Sequence, residues 1–389
     1  MRFAIVADDL TGAMDSGVQL AGAGYRTAVA LEGAPLPPEP GLDAVVAETG
    51  SRALPPGQAA SRVREAVRAL RGARLLYKKI DSALRGPLGA EVEAALAASG
   101  RGCALISPAF PAAGRTTSGG VQFIHGVPVE RTGFARDPRN PVRTSSLPAL
   151  IPGVGAVLGT GDLSSPSRVR DALRRHRLVV ADAQTEAHLA ALVRAVPDPS
   201  SVLWVGSAGL AGALAGAYPG PRAAGEALPG AERVVAAVGS RNEVALRQRE
   251  LLAAEPGVVE AIVREGDREP VRAAFRALEA GARCALLRPP DPMMDPEVVL
   301  GALSKAAARL SQSLPSPGLI LTGGETAAGV ARRLGARGIL ILRELEPGVP
   351  AGVLLGPHPY PVVTKAGGFG SPGTLRDAMG LLLGERSPV

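Results

Sequence analysis

The chain has 389 residues, 46% of them hydrophobic, with a formal net charge of +7 and 3% aromatic side chains. That length is enough for about two domains with real cores. The charges are scattered, with no long Lys/Arg run and few stacking rings, which argues against a nucleic-acid platform. Cys103 and Cys284 lie far apart, which excludes a disulfide framework and a CxxC metal site.

The chain opens on a short apolar run, 3–7, that reads as a buried strand and ends on Asp8 and Asp9. Thr11 and Gly12 lead into a helix with Met14, Val18 and Leu20 on one side. Ligands bind where strands of an α/β sheet end and helices begin, so two acids there point to chemistry. An Asp can also simply cap the following helix. The acids interrupt any secretory pattern, and no apolar run approaches the ~20 residues that span a bilayer. A cytoplasmic setting without a membrane partner is expected.

Strands are predicted next over 27–31, 44–47 and 75–78. The second of them leads into Glu48-Thr49-Gly50-Ser51-Arg52, which would bring Arg52 toward the sheet edge of Asp9 and Lys79. As one of 39 arginines, Arg52 also reads as a solvated surface residue. Lysine is rare, with only Lys78, Lys79, Lys305 and Lys365, so a surviving Lys points to a need for its compact charge. Tyr77 to Gly86 packs Lys78, Lys79, Asp81, Ser82 and Arg85 after a strand. Such a loop can hold a carboxylate through Lys and Arg while Asp81 takes a hydroxyl proton. Alternatively Asp81 or Ser82 caps a helix near 87–97.

After a strand at 103–107, residues 108–150 show little regular pattern and read as a long functional loop. Strands follow at 178–181 and 203–205. Gly206-Ser207 then faces a ligand cleft or merely turns into a helix over 208–217. The Pro/Gly/Ala-rich stretch 218–232 marks a boundary between domains 1–220 and 231–389.

The second half repeats the style, with strands at 234–238, 258–263, 285–287, 318–321 and 339–342. Continuous apolar strands alternating with helices predict α/β domains with mostly parallel sheets flanked by helices. Three strand ends here carry Gly loops: Gly239-Ser240, Gly323-Gly324-Glu325-Thr326 and Lys365-Ala366-Gly367-Gly368. Glycine lets the backbone approach a phosphate, and a helix N-terminus supplies donors. Glu325 could organise a metal or ribose, or favour the helix dipole. Together the loops predict a nucleotide cradle, with neither a P-loop nor a dinucleotide fingerprint.

The ordered set of segments resembles the four-carbon acid sugar kinases, which include threonate, erythronate and oxo-tetronate kinases. It rests on Ala7 to Asp15, Ser51-Arg52, Lys78 to Gly86, Gly114-Arg115-Thr116-Thr117, His125-Gly126-Val127-Pro128 and Asp137-Pro138. Gly206 to Leu210, Gly323 to Thr326 and Lys365 to Gly370 complete it. The resemblance implies a two-domain kinase with its active site in the cleft between the domains. It implies an acid sugar on the first domain and ATP, with Mg²⁺ bridging the phosphates, on the second. Asp9, Arg52, Lys79, Asp81, Ser82 and Arg85, with Lys78, would line the acid-sugar site. Ser240, Gly323, Gly324, Glu325, Thr326, Gly367 and Gly368 would contact ATP. The catalytic base would be Asp9, Asp15 or Asp81. No protein ligand for a metal is named, and a homodimer is the base-rate expectation. The chain departs from the family pattern at Ala83, where Thr is usual, and at Arg241, Asn242 and Ala245. The alternative reading is therefore a non-catalytic relative that binds a nucleotide or metabolite.

Overall fold

The computed structural model describes residues 2–35, 39–137, 139–221, 227–291 and 295–385. Pro138 of the Asp137-Pro138 pair and 222–226 of the expected boundary lie outside the described residues. The chain divides into two compact units, Met1–Thr27 with Glu39–Ala224, and Ala28–Pro38 with Gly225–Val389. Each is α/β with a mostly parallel sheet flanked by helices.

In chain order the first half contains β1 (Phe3–Ala7), α1 (Leu10–Gly22), β2 (Thr27–Ala30), β3 (Ala44–Glu48), α2 (Pro56–Leu70), β4 (Leu75–Lys79), α3 (Leu88–Ser99) and β5 (Cys103–Ser107). Then come β6 (Arg115–Ser118), β7 (Val121–Ile124), β8 (Val127–Pro128), α4 (Leu147–Leu150), β9 (Val154–Leu158), α5 (Pro166–Arg175), β10 (Leu178–Ala181), α6 (Glu186–Ala195), β11 (Val202–Gly206) and α7 (Ala208–Ala217). The sheet of the first unit runs β3-β1-β4-β11-β5-β10-β9, every pair parallel. Its strands are buried on both faces, which is why they read as unbroken apolar runs. Ala4, Val6, Leu76, Ile106 and Val205 share one core cluster with Val63 and Val67 of α2 and Val92 of α3. Phe3, Ile5 and Tyr77 are equally buried on the other face.

The second half contains β12 (Arg233–Val238), α8 (Glu243–Ala253), β13 (Val258–Ile262), α9 (Glu269–Glu279), β14 (Cys284–Arg288), α10 (Pro296–Gln312), β15 (Pro317–Thr322), α11 (Gly324–Arg333), β16 (Gly338–Glu346), β17 (Val349–Leu355), β18 (Pro361–Lys365) and α12 (Thr374–Leu382). In the second unit β13-β14-β12-β15-β18 are parallel, and β17 and β16 extend the sheet as an antiparallel hairpin. β2 lies beside β16, and just beyond it Leu31 N donates to Arg337 O at 3.0 Å. No helix among the described residues is long and apolar enough to cross a membrane.

Residues 108–150 differ from the expected irregular loop. They hold a three-stranded antiparallel sheet, β6-β7-β8. Its turn is Gly119-Gly120, both at positive φ, and their N–H groups donate to the buried Asp182 at 2.6 and 2.9 Å. Strands of two to four residues carry too few alternations to register as a pattern. β9 and β17 have no counterpart among the expected strands, and β18 supplies the strand end expected at Lys365 with an apolar core, Val362-Val363, only two residues long.

Candidate functional site

Two clusters emerge, one at the carboxyl edge of each sheet. In the first unit Ala7 pairs with Glu48 on one side and Lys79 on the other. The loops that follow these three strands therefore leave the sheet side by side, where open α/β sheets bind ligands. Arg52 is folded back onto the end of β1. Its Nε donates to Asp8 Oδ2 at 2.6 Å, and Nη1 and Nη2 donate to Asp9 at 2.5 and 2.7 Å. Asp81 Oδ1 stands 3.7 Å from the same guanidinium. Arg52 is thus a fork clamped by carboxylates and not a solvated surface residue.

Arg85 forms the second fork. It donates to both oxygens of Asp81 at 2.7 and 3.2 Å, approaches Asp137 at 3.4 Å and stacks 5.2 Å from the Phe134 ring. Asp81 thus serves the two forks and does not cap α3, whose N-cap is Pro87. Asp9 both caps and pairs: it accepts from Gly12 N at 2.8 Å while it holds Arg52. A larger residue at Gly12 would displace both groups, since a Cβ there would lie 2.7 Å from Asp9 Oδ1 and 2.8 Å from Lys79 Nζ.

The adjacent lysines part company because strand residues alternate faces. The Lys79 ammonium lies by Asp9 and donates to Ile80 O at 3.0 Å. Lys78 turns to the opposite face, wholly buried, with Glu91 at 2.9 Å and Lys79 O at 2.6 Å. Its ammonium is enclosed by protein, so the expectation that Lys78 touches a substrate gives way to a supporting position. Glu91 also accepts from Ser51 at 2.5 Å, and Ser51 meets Thr49 at 2.7 Å, so this network underlies Arg52. Ser82 is half-buried, and its carbonyl accepts from Gln122 at 2.9 Å. Asp15 is buried on α1, where its charge acts on Tyr77 and Arg115.

The three clustered acids titrate differently. Burial pushes each upward, but Arg85 and Arg52 hold Asp81 far below the ordinary carboxylate range. Arg52, Lys78 and Lys79 likewise hold Asp8 low against its burial. Asp9 is raised, because burial and the neighbouring charges of Asp8 and Asp81 outweigh Arg52 and Lys79. One oxygen of Asp8 is buried and takes no hydrogen bond among the described residues. Asp8, Asp137, Phe134 and Arg115 were not assigned to the site from the sequence. Arg115 opens β6, and its guanidinium, disfavoured by burial, is supported by Asp81 and Asp15. Asp8 is legible in the sequence beside Asp9, and Arg115 and Asp137 lie in segments that carry the resemblance; their place in this cluster, and Phe134 altogether, needed the fold.

In the second unit Val238 pairs with Thr322, and Thr322 with Lys365. The three Gly loops therefore start level at the carboxyl edge. They interlock closely: a Cβ on Gly367 would lie 2.0 Å from Ser240 Oγ, and one on Gly239 would lie 2.2 Å from Thr326 Oγ1. Gly323 has φ +98°, and its N–H donates to Lys365 O at 2.9 Å before α11 begins at Gly324. Glu325 is exposed in the first turn of α11, and Thr326 is buried. The unusual Arg241-Asn242 segment keeps its turn: Ser240 Oγ accepts from Asn242 N at 3.3 Å, and Asn242 caps α8. Gln248 donates to the carbonyls of Phe369 and Ser371 at 3.1 and 2.7 Å, fixing the loop beyond Gly368. Gly206-Ser207 proves to be a packed turn: Ser207 caps α7 and donates to Ala109 O at 3.0 Å.

Among the described residues no group of three or more His, Cys, Asp or Glu side chains could hold a metal ion.

A family model described as a sugar-binding N-terminal domain matches residues 3–214, and one described as a nucleotide-binding C-terminal domain matches 235–375. A D-threonate kinase from Cupriavidus necator is 38% identical, with 100% of both chains covered. One from Salmonella typhimurium is 36% identical over 97% of this chain and 98% of its own. A solved Salmonella typhimurium structure described as a putative tRNA synthase superposes with a TM-score of 0.83 at 26% identity, covering 97% of this chain and 98% of that one. Ordered motifs, two matched domain models and full-length kinase relatives agree: this chain belongs to the four-carbon acid sugar kinase family, which uses ATP to phosphorylate a sugar-acid hydroxyl.

Proposed function

We propose that the chain phosphorylates D-threonate or a close stereoisomer, held at the first-unit cluster, with ATP held by the Gly loops of residues 231–389. The observation that carries this reading is the interleaving of forks and acids at one sheet edge. Arg52, Lys79 and Arg85 supply positive charge for a substrate carboxylate, the two guanidinium groups through the N–H bonds that Asp8, Asp9, Asp81 and Asp137 leave free. Asp9, the acid whose affinity for a proton is raised, is the base that orients the accepting hydroxyl and takes its proton. Asp81 and Asp8, held low, stay ionised and position the guanidinium forks. Asp15, whose charge acts on Tyr77 and Arg115, supports the cluster from α1. Ser82 offers a hydroxyl to the sugar.

Ser240, Gly323, Gly324, Glu325, Thr326, Gly367 and Gly368 form the nucleotide cradle, with α11 offering its N-terminal N–H groups to phosphate. Mg²⁺ bound with the nucleotide would supply neutralisation of the phosphate charge. Phosphoryl transfer asks the protein mainly for positioning and charge stabilisation, which rigid strand ends supply.

The test is ATP consumption with Mg²⁺ against D- and L-threonate, D- and L-erythronate and their oxo forms, with NMR of the product. Turnover of D-threonate to a phosphate ester is expected. Turnover of none of these acids by a chain that binds ATP would sink the reading. The cradle has its own check. In Gly367→Ala the new methyl collides with Ser240 Oγ, and kcat/KM for ATP is expected to fall about 10²-fold. The KM for the acid, measured at saturating ATP, should stay put; an unaltered ATP dependence would remove Gly367 from the site.

A further inference from the structure

The second unit buries one charge that its own fold does not balance. Lys365 is 2% exposed. Its ammonium donates one hydrogen bond, to Gly367 O at 3.3 Å, and makes no ion pair among the described residues. Lys78 shows the contrast: equally buried, it has Glu91 at 2.9 Å. Glu346 attracts Lys365 from a distance, but its oxygens are taken by Ser371 and Thr374 at 2.8 to 3.1 Å. Burial lowers Lys365 to about 8 from 10.5. An unpaired buried ammonium is costly. In a chain with 39 arginines and four lysines, its retention calls for a partner that arrives from outside.

The surroundings say what that partner is. Lys365 closes β18 beneath the Gly loops, and the carbonyl it touches belongs to Gly367, which packs on Ser240. Its register partner Thr322 is wholly buried, and the Thr322 hydroxyl makes no hydrogen bond among the described residues. The first turn of α11 adds N–H donors beside them. Donors and positive charge converge here with Gly367 O as the ammonium's one acceptor among the described residues, which suits a chain of phosphates.

We propose that Lys365 is the counter-ion of the nucleotide's phosphate chain, to which it gives its two unused N–H bonds. This rests on the reading that residues 231–389 hold ATP. It is distinct from a loop staple, in which the ammonium would only tie down Gly367.

The experiment is calorimetric titration of the full chain and of Lys365→Met with adenosine, AMP, ADP and ATP. For the unaltered chain, affinity should climb with phosphate number. In Lys365→Met, ADP and ATP affinity should fall about 10- to 100-fold while adenosine affinity is unchanged. Without nucleotide the variant should melt at or above the temperature of the parent chain, because it loses an unbalanced buried charge. Equal weakening of adenosine and ADP, or a lower melting temperature with ADP affinity intact, would establish the staple and overturn the proposal. If the unaltered chain bound none of the four, the nucleotide reading itself would fall, which is a separate result.

Discussion

Asp9→Asn is expected to lower kcat by about 10²- to 10⁴-fold, the usual contribution of a positioned base. The substitution spares the helix cap and the side-chain volume. Asn caps helices as well as Asp does, so the bond from Gly12 N that starts α1 survives. The side chain keeps its size against Arg52 and Lys79. What disappears is the ability to take a proton, together with one of the two oxygens that accept from Arg52. The parent chain should lose activity as pH falls through the Asp9 value, because the deprotonated form is the working one. That acidic limb should lie above the ordinary carboxylate value of 3.8, since burial and the charges of Asp8 and Asp81 raise it. Residual activity of the variant should lack this limb. Near-normal turnover with an unchanged pH profile would move the base elsewhere. Arg52→Ala is the companion, expected to raise the KM for the acid by removing the fork that Asp8 and Asp9 hold.

The largest effect on stability is expected from the buried Lys78–Glu91 pair. Removing one partner leaves the other charged in a site with 0% and 3% side-chain exposure. Such a loss costs about 3–5 kcal/mol. Lys78→Met and Glu91→Gln should each shift the first denaturant transition by that order. The double variant should cost less than the sum by more than about 1 kcal/mol, because neither charge is stranded. Gln at 91 still accepts from Ser51, so the support under Arg52 is retained in the double variant. Strict additivity would mean that the two charges do not depend on each other.

Much of the fold could be read locally. The strand at 3–7, the strand at 103–107 and the helix at 208–217 have the expected bounds, because long apolar runs between punctuating residues are local facts. The β6-β7-β8 sheet was unreadable for the opposite reason. Its register is set by Asp182, more than sixty residues away, gripping the Gly119-Gly120 turn.

The α/β class, the strand ends that carry acids, cations and glycines, and the kinase family are all legible along the chain. These depend on short-range order: period, turn residues and motif succession. Which of those groups face one another is a matter of folding and packing. Lys78 and Lys79 are neighbours in the chain, yet the pleat sends one to Glu91 and the other to Asp9. Asp8, Asp9 and Asp81 are alike as residues, yet Arg52 and Arg85 divide them into two acids held low and one raised. Lys365 is one of four lysines, and only packing reveals that it is buried without a counter-ion among the described residues. Charge energies depend on burial and on distances between side chains far apart in sequence, and those quantities exist only once the chain has folded.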